Sequence, residues 1–216
     1  MIHPPKMVLF DCDGVVVDSE TLTNQVVRDD LAERGLDLSL QQVMHRFVGG
    51  TMADVAQKAT DHGANIPPNW TDVVYPKIYA VLAESIEAIP DIEMVLDRLD
   101  AANILYAIGS NGRLEKMQIT LGRTGLISRF EGRLYSAQDL AKAKPAPDVY
   151  LKAAMDAGIA PADCVVIEDS VSGAKAGKAA GMRTLGFIAE TPRANLAPVC
   201  DDLFSSMRDL PKLLGL

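Results

Sequence analysis

The stretch Met7-Val-Leu-Phe-Asp11-Cys-Asp13-Gly14 decides how the rest of the chain is interpreted. Its apolar half is typical of a short buried strand, and the run ends in two aspartates that stand two positions apart. Because side chains alternate along an extended chain, Asp11 and Asp13 are predicted to face the same side. Ligands of open α/β sheets bind at the carboxyl ends of the strands. The pair therefore marks a candidate site, although a solvated exit from a strand would also explain it.

Two carboxylates so close together need a charge partner. At about 4 Å they repel each other by roughly 4 kcal/mol if the effective dielectric constant is about 20. The pair is stable at neutral pH only when a cation lies between the carboxylates or one of them holds a proton.

The composition limits the class of protein. The chain has 216 residues, a formal net charge of −8 and 48% hydrophobic residues, which is typical of a globular protein with one large or two small domains. The negative charge argues against nucleic acids or anionic membranes as partners, so a phosphate ligand must meet a local cation. No apolar run is long enough to predict a membrane span.

The expected location is the cytoplasm. The first residues lack the basic and then apolar pattern of a secretion signal. The cysteines are odd in number and far apart, which favours reduced thiols over a disulfide framework or a zinc site. They are Cys12, Cys164 and Cys200.

After Asp18 the pattern changes to that of helices. Residues from about 19 to 87 are predicted to form a compact helical insertion, with a kink or a break at Pro76. Gly49 and Gly50 are predicted to form either a loop that approaches a ligand or a plain turn between helices. Apolar residues at helical spacing are Leu22, Val26, Val27, Leu31, Leu40, Val43, Met44, Phe47, Val48, Met52, Val55, Ala56, Ala59, Trp70, Val73, Val74 and Ile78.

From about residue 88 strands alternate with helices, which predicts a parallel sheet covered on both faces. The chain is thus predicted to form an α/β core of residues 1–18 and 88–216, with a helical domain of residues 19–87 inserted in it. Asp91 is a possible N-cap of the first helix after the insertion. The tail beyond Ile188 is poorly patterned. Strand-like runs are Ile104–Ile108, Arg133–Tyr135, Cys164–Ile167 and Met182–Ile188.

Polar groups follow the clear strands. Ser110 and Asn111 come after the second strand, and Glu168 and Asp169 come after a later one. Lys144 lies in a proline-rich loop that opens a helix. Because parallel strands bring their carboxyl ends to one edge, these residues are expected near the two aspartates. Singly they could be a helix cap, a solvated turn and a surface lysine, but together they indicate a site.

The chemistry of this set favours a hard cation. Carboxylates without a cluster of histidines or cysteines are typical ligands of Mg²⁺, which completes its coordination with water and substrate phosphate. Lys144 and the donors of Ser110 and Asn111 are candidates to hold the remaining phosphate oxygens. The arrangement suits phosphoryl transfer, in which positioning and charge neutralisation carry most of the catalysis. The sequence contains neither a P-loop nor a dinucleotide-binding glycine motif.

These motifs resemble those of the haloacid dehalogenase superfamily, in its β-phosphoglucomutase-like phosphatase branch. The resemblance covers residues from about 7 to 188. It implies a Rossmann-like parallel sheet with an inserted helical-bundle cap. The matching stretches are Asp11-Cys-Asp13-Gly-Val with Asp18-Ser-Glu, Gly109-Ser110-Asn111, Lys144-Pro-Ala-Pro-Asp148, Glu168-Asp169-Ser-Val-Ser-Gly173 and Ala179-Ala-Gly181-Met182.

The resemblance also implies catalytic roles. Asp11 is expected to be the nucleophile that forms an aspartyl-phosphate. Asp13 is expected to be the general acid for the leaving alcohol and then the general base for water. Ser110 and Asn111 are expected to bind the transferring phosphoryl group, and Lys144 to offset its charge.

A metal site and a cap are implied in the same way. Mg²⁺ is expected to bind Asp11, the backbone carbonyl of Asp13, and Asp169. Glu168 is expected either to contact the metal or to lie one step removed from it. The cap is expected to close over the site and exclude water, with Gly49 as a candidate for substrate binding.

The resemblance favours a phosphatase. Dehalogenases and phosphonate hydrolases of the family replace the second aspartate, whereas Asp13 is present here. In β-phosphoglucomutases the cap carries a histidine, a lysine and an arginine, and the matching positions here are Thr23, Val48 and Met52. The expected protein is a monomeric phosphoric monoester hydrolase that acts on a small metabolite such as a sugar or sugar-acid monophosphate, for example 6-phosphogluconate. A mutase and a non-catalytic protein that binds a phosphorylated ligand remain the alternatives.

Overall fold

The computed structural model describes residues 3–47 and 51–216. The chain divides into two compact units. The core unit contains the chain as far as Asp18 and again from Glu87 to Leu216. The helical unit is Ser19–Ile86. Gly49, the candidate for substrate binding, lies outside the described residues, as do its neighbours Val48 and Gly50.

The core unit is built on a sheet whose strands all run in the same direction. The strands are β1 (Met7–Phe10), β2 (Leu105–Ser110), β3 (Leu134–Ser136), β4 (Cys164–Glu168), β5 (Arg183–Phe187) and β6 (Asp202–Phe204). Their order across the sheet is β3-β2-β1-β4-β5-β6, and each neighbouring pair is parallel. The predicted α/β fold class is therefore confirmed.

The helical unit consists of α1 (Glu20–Glu33), α2 (Leu40–Phe47), α3 (Met52–Asp61) and α4 (Trp70–Ser85). Helix α4 continues through Pro76, so the predicted break is absent: the proline removes one backbone hydrogen bond, and the turns on either side keep the helix continuous. Thr51 caps α3 in a capping box with Asp54, which fixes where that helix begins.

A buried carboxylate joins the first and last helices of this unit. The side chain of Asp30 on α1 is fully buried and accepts hydrogen bonds from Trp70 Nε1 at 2.6 Å and Lys77 Nζ at 2.8 Å, both on α4. Arg34 Nε donates to it at 2.6 Å. Burial alone raises the pKa of Asp30, but these donors outweigh it and lower the pKa to about 2.

The helices of the core unit are α5 (Ile92–Ala101), α6 (Leu114–Arg123), α7 (Asp148–Asp156), α8 (Val171–Ala179), α9 (Arg193–Leu196) and α10 (Leu210–Leu214). Leu9 of the central strand packs in an apolar cluster with Tyr150 of α7 and Ala176 of α8. Val8 and Phe10 point to the opposite face and are also fully buried. The uninterrupted apolar sequence of β1 follows from this two-sided cover. In the part of the chain that the structure describes, no helix has the length and apolarity to cross a membrane.

The core unit closes the chain on itself where the insertion leaves and returns. Asp18 N donates to Glu87 O at 3.0 Å, and Ile89 N donates to Val16 O at 2.9 Å. Between these bonds, Val17 and Ala88 form an antiparallel bridge. The outgoing and returning segments are therefore held side by side within the core unit.

Two local expectations differ from the structure. Asp91 stands at the N-cap position of α5, but its φ is +66° and its side chain makes no capping bond. An N-cap normally has extended backbone geometry, and here the carboxylate accepts from Arg208 Nε at 2.9 Å instead. Strand β6 lies in the tail beyond Ile188 and was not predicted, because a three-residue edge strand is too short to show a periodicity.

Candidate active site

The site begins where β1 ends. Phe10 pairs with Ile108 of β2 and Ile167 of β4, so the three central strands end within two residues of one another. Asp11 N still donates to Ile167 O at 2.9 Å. The chain then turns sharply, with Gly14 N donating to Val17 O at 2.9 Å. Asp11 and Asp13 are thus fixed at the carboxyl edge of the sheet.

Gly14 allows a carboxylate from β4 to approach this turn. Its φ is +77°, and a Cβ on Gly14 would lie 2.2 Å from Oδ2 of Asp169. A side chain here would therefore be both strained and in collision. The space that the glycine leaves open is filled by the Asp169 carboxylate.

Three carboxylates converge beside this turn. One oxygen from each of Asp11, Glu168 and Asp169 lies within 4.8 Å of the others. Asp13 belongs to the same edge, but over the described residues its carboxylate is not part of that group. Its expected contribution to a metal is its backbone carbonyl.

Lys144 enters the cluster from the loop before α7. Its Nζ donates to Asp11 Oδ1 and to Glu168 Oε1, each at 2.7 Å. Its backbone N donates to Asn111 Oδ1 at 2.9 Å. Burial lowers the pKa of the Lys144 ammonium, but the two carboxylates outweigh that effect and raise the pKa above its usual value. The lysine therefore stays charged.

Glu168 is fully buried, and both of its oxygens accept hydrogen bonds. Oε1 accepts from Lys144 and from the Tyr150 hydroxyl at 2.8 Å. Oε2 accepts from Ser170 N at 3.2 Å and from Ser170 Oγ at 2.9 Å. Four bonds satisfy the usual capacity of a carboxylate. In this structure Glu168 is thus held in place and itself fixes Lys144.

The charge of the cluster is only partly balanced. Burial raises the pKa of Asp11 to about 7 in spite of Lys144, and the carboxylates of Glu168 and Asp13 contribute to that rise. A buried group with so much uncompensated negative charge around it favours a cation. The candidate metal ligands in this cluster are carboxylate oxygens, and such a set suits a hard divalent metal. The acidic cluster therefore fits the metal site that the sequence predicts.

The end of β2 supplies a second wall of the site. Ser110 Oγ accepts from Gly112 N at 2.9 Å, which leaves its hydroxyl proton directed elsewhere. Ser136 Oγ donates to Gly112 O at 2.8 Å, and Gln138 Nε2 donates to Asn111 O at 3.1 Å. These bonds hold the turn after β2 in place beside Lys144. The Asn111 side chain links this turn directly to the Lys144 backbone.

Two residues of this site have no signal in the sequence. Tyr150 bonds Glu168, and its ring centre lies 4.8 Å from Lys144 Nζ. Lys116 Nζ donates to Asp13 Oδ1 at 2.7 Å. Both lie inside helices, where their spacing resembles that of ordinary core and surface positions. A helix-face analysis that placed α6 and α7 beside β1 could have selected them.

The sequence matches a family of known proteins. The family model of haloacid dehalogenase-like hydrolases matches residues 8–187. The 6-phosphogluconate phosphatase of Escherichia coli (strain K12) is 29% identical over 210 residues, covering 96% of this chain and 94% of that protein. Hexitol phosphatase B of the same organism is 27% identical over 215 residues, covering 95% and 96%.

A solved structure extends the agreement to three dimensions. A HAD family hydrolase from Deinococcus radiodurans R1, with bound phosphate and sodium, is 34% identical with a TM-score of 0.84, covering 98% of this chain and 96% of that one. Since the family model spans most of the sequence, the chain belongs to the haloacid dehalogenase-like hydrolase family and is an enzyme of its phosphatase class.

Proposed function

We propose that this enzyme is a Mg²⁺-dependent phosphatase that hydrolyses the monophosphate of a small sugar or sugar acid through an aspartyl-phosphate on Asp11. The observation that carries the proposal is the pairing of Asp11 with buried Lys144 inside a cluster of carboxylates at the end of the central strand. Such a group combines a nucleophile with the positive charge that a phosphate needs in a protein of net charge −8.

The first step forms a bond between a carboxylate oxygen of Asp11 and phosphorus, while the bond from phosphorus to the ester oxygen breaks. Asp13 donates a proton to the departing alkoxide. In the second step water attacks phosphorus, Asp13 takes its proton, and the bond to Asp11 breaks to release phosphate. Lys144 and the donors of Ser110 and Asn111 hold the phosphoryl oxygens in both steps.

Asp11, Asp169 and the carbonyl of Asp13 are the proposed ligands of the metal, with Glu168 as the residue that fixes Lys144 or as a further ligand. Mg²⁺, when bound, neutralises charge on the phosphoryl oxygens. The three carboxylates lie close enough for one ion, and the Gly14 turn admits Asp169 to that position.

The substrate class is proposed from the relatives. One is named a 6-phosphogluconate phosphatase and another a hexitol phosphatase, so both names give a phosphorylated sugar derivative. Residues 19–87 are proposed to act as the cap domain that selects the substrate, with Gly49 among its binding residues. The core motifs alone would serve any small phosphate monoester.

The test is phosphate release from a panel of 6-phosphogluconate, hexitol phosphates, hexose 6-phosphates and β-glucose 1-phosphate, with Mg²⁺ and with a chelator. Asp11→Asn is the inactive control. Release that needs the metal and disappears in the variant supports the proposal, and the relative rates identify the substrate. Conversion of glucose 1-phosphate to glucose 6-phosphate without free phosphate, in the presence of a bisphosphate activator, would show a mutase instead.

A further inference from the structure

A lysine outside the motifs is bound to the proposed acid and base. Lys116 lies in the first turn of α6, and its Nζ donates to Asp13 Oδ1 at 2.7 Å across 103 residues of sequence. The two side chains are only 16% and 18% exposed. An ion pair so far withdrawn from solvent holds its geometry better than a surface pair, which contributes little.

The two aspartates after β1 therefore have different lysines. Asp11 pairs with Lys144, and Asp13 pairs with Lys116. Lys144 also pairs with Glu168. The structure thus separates the two carboxylates by giving each its own positive charge from a different element.

Helix α6 contacts the same turn a second time. Thr120 stands four residues after Lys116, hence on the same face of the helix, and its hydroxyl is hydrogen-bonded with the Cys12 thiol. Thr120 is fully buried and also bonds the Lys116 carbonyl at 3.1 Å. Lys116 and Thr120 together fix the segment that carries Asp13 relative to α6.

The other oxygen of Asp13 faces the phosphate-binding turn. A Cβ on Gly112 would lie 3.2 Å from Ser110 Oγ, 3.6 Å from Asp13 Oδ2 and 3.7 Å from Lys116 Cδ. Oδ2 and the Ser110 hydroxyl therefore border the same small space, and Gly112 keeps it open. Lys116 donates to Oδ1, and Oδ2 is the oxygen that borders this space.

We propose that Lys116 is a positioning residue for Asp13: it anchors Oδ1 so that Oδ2 is aimed at the oxygen of the leaving group and then at the attacking water. The inference rests on the proposed function and adds to it a residue that acts through Asp13. An ion pair that served only to fasten α6 to the sheet would stabilise the fold without favouring any step.

Leaving groups separate these two roles. An alkoxide needs a proton as it departs, whereas p-nitrophenolate departs without one. If Lys116 acts through Asp13, Lys116→Met slows phosphoenzyme formation from an alkyl phosphate by about 10- to 100-fold, which is part of the roughly 10²- to 10⁴-fold that general acid catalysis supplies. Phosphoenzyme formation from p-nitrophenyl phosphate changes by less than about threefold, because that step does not use the acid.

The experiment compares wild type, Lys116→Met, Lys116→Arg and Lys178→Met. The substrates are p-nitrophenyl phosphate and the alkyl phosphate of the panel that wild type hydrolyses fastest. Phosphoenzyme is quenched in acid and measured by intact mass, and kcat and KM are measured in the steady state. Lys178→Met is the matched control, because Lys178 forms an exposed ion pair with Asp201 away from the site. Lys116→Arg keeps the charge and is expected to recover most of the rate.

A double-mutant cycle with Asp13→Asn gives an independent result. If Lys116 acts only through Asp13, Lys116→Met has no further effect on kcat in the Asp13→Asn background, so the two losses are not additive. Additive losses, or equal slowing of phosphoenzyme formation from both substrates by Lys116→Met, would overturn the inference and leave the phosphatase intact. Thermal melting of every variant identifies a loss due to unfolding, and Lys116→Gln replaces Lys116→Met if that variant does not fold.

Failure of the proposed phosphatase function would give a different experimental result from failure of the Lys116 inference. Wild type would then form no phosphoenzyme from any substrate, before any variant is compared, and both proposals would fall together. A wild type that forms phosphoenzyme, with a Lys116→Met variant that is normal on both substrates, would remove only the role of Lys116.

Discussion

The hydroxyl of Tyr150 is one of four donors to the fully buried Glu168. We predict that Tyr150→Phe lowers the free energy of unfolding by about 1–3 kcal/mol, because a buried carboxylate loses a bond that water cannot replace. It also lowers kcat, because Lys144 is shared with the glutamate that becomes less well held. Urea unfolding and steady-state kinetics measure the two effects.

Tyr135→Phe is the matched control for that prediction. The Tyr135 hydroxyl bonds Asp156, whose pair with Lys152 is exposed, and a surface bond of this kind contributes less than about 1 kcal/mol. Equal losses in the two variants would contradict the special position of Tyr150.

At the scale of single residues, the site residues that could be predicted from the sequence are those at the carboxyl ends of parallel strands, which meet at one edge of the sheet. Asp11, Ser110 and Glu168 all stand where parallel strands end, and the sheet brings them to one edge regardless of detail. Lys116 and Tyr150 stand inside helices. Their contacts depend on how each helix packs, and nothing in local spacing distinguishes them from neighbouring polar or apolar positions. The functional roles of the strand-end residues stay predictions until the variants are measured.

At the scale of elements, α8 begins against the active site. A Cβ on Gly173, in its first turn, would lie 1.6 Å from Glu168 Oε1. We predict that Gly173→Ala destabilises the protein and lowers activity at least tenfold, because the methyl group displaces Glu168 and with it Lys144. This reverses the ordinary effect of alanine in a helix, which favours stability by about 1 kcal/mol over glycine.

Gly122→Ala in α6 serves as the control. Nothing lies within 4 Å of a Cβ at Gly122, so this variant is expected to be as active as wild type and up to about 1 kcal/mol more stable. Circular dichroism melting and phosphate release check both variants. A stable, fully active Gly173→Ala would contradict the packing described for Glu168.

The buried Asp30 carboxylate that links α1 to α4 gives a prediction about how stability depends on pH. The donors around Asp30 lower its pKa to about 2, against about 3.9 for an unfolded aspartate. A lowered pKa in the folded state contributes stability above about pH 4, and this contribution is lost as the pH falls from about 4 to about 2. The shift corresponds to roughly 2–3 kcal/mol.

Asp30→Asn is expected to lower stability at pH 7 and to flatten its dependence on pH between about 5 and 2. The neighbouring Asp29→Asn is the control, because Asp29 pairs with Arg28 at an exposed position. Urea unfolding at several pH values measures the difference. Parallel pH curves for wild type and Asp30→Asn would show that the buried carboxylate does not carry this effect.

The elements also show where sequence patterns fail. The helices of the insertion show helical spacing of apolar residues, the central strands are short apolar runs, and the structure contains both. Strand β6 was missed because three residues at a sheet edge leave no pattern. Asp91 stands at the predicted N-cap position, but its side chain does not cap the helix, because the backbone there is left-handed and the carboxylate bonds Arg208 instead. Of the kink or break predicted at Pro76, the break is absent, because one missing bond does not interrupt a sixteen-residue helix.

For the whole molecule, Mg²⁺ is predicted to stabilise the folded state. A ligand that binds only the native protein adds about 2.7 kcal/mol at 100 times its Kd, so the melting temperature is expected to rise with Mg²⁺ and to fall on chelation. Asp169→Asn removes one of the proposed ligand oxygens and is expected to abolish most of the rise. An equal rise in Asp169→Asn, or with NaCl of matched ionic strength, would indicate general screening of the net charge of −8.

The bridge between Val17 and Ala88 has a consequence for how this chain can exchange segments with its relatives during evolution. The two segments that meet at this bridge are hydrogen-bonded neighbours, so a segment inserted between them only needs its own two ends to lie close together. The entropic cost of bringing the ends of a longer segment together grows slowly with its length. We therefore expect that segments of different length can replace residues 19–86 while the core sheet keeps its register. A chimera in which residues 19–86 are replaced by the matching segment of a relative would test whether substrate preference travels with that segment.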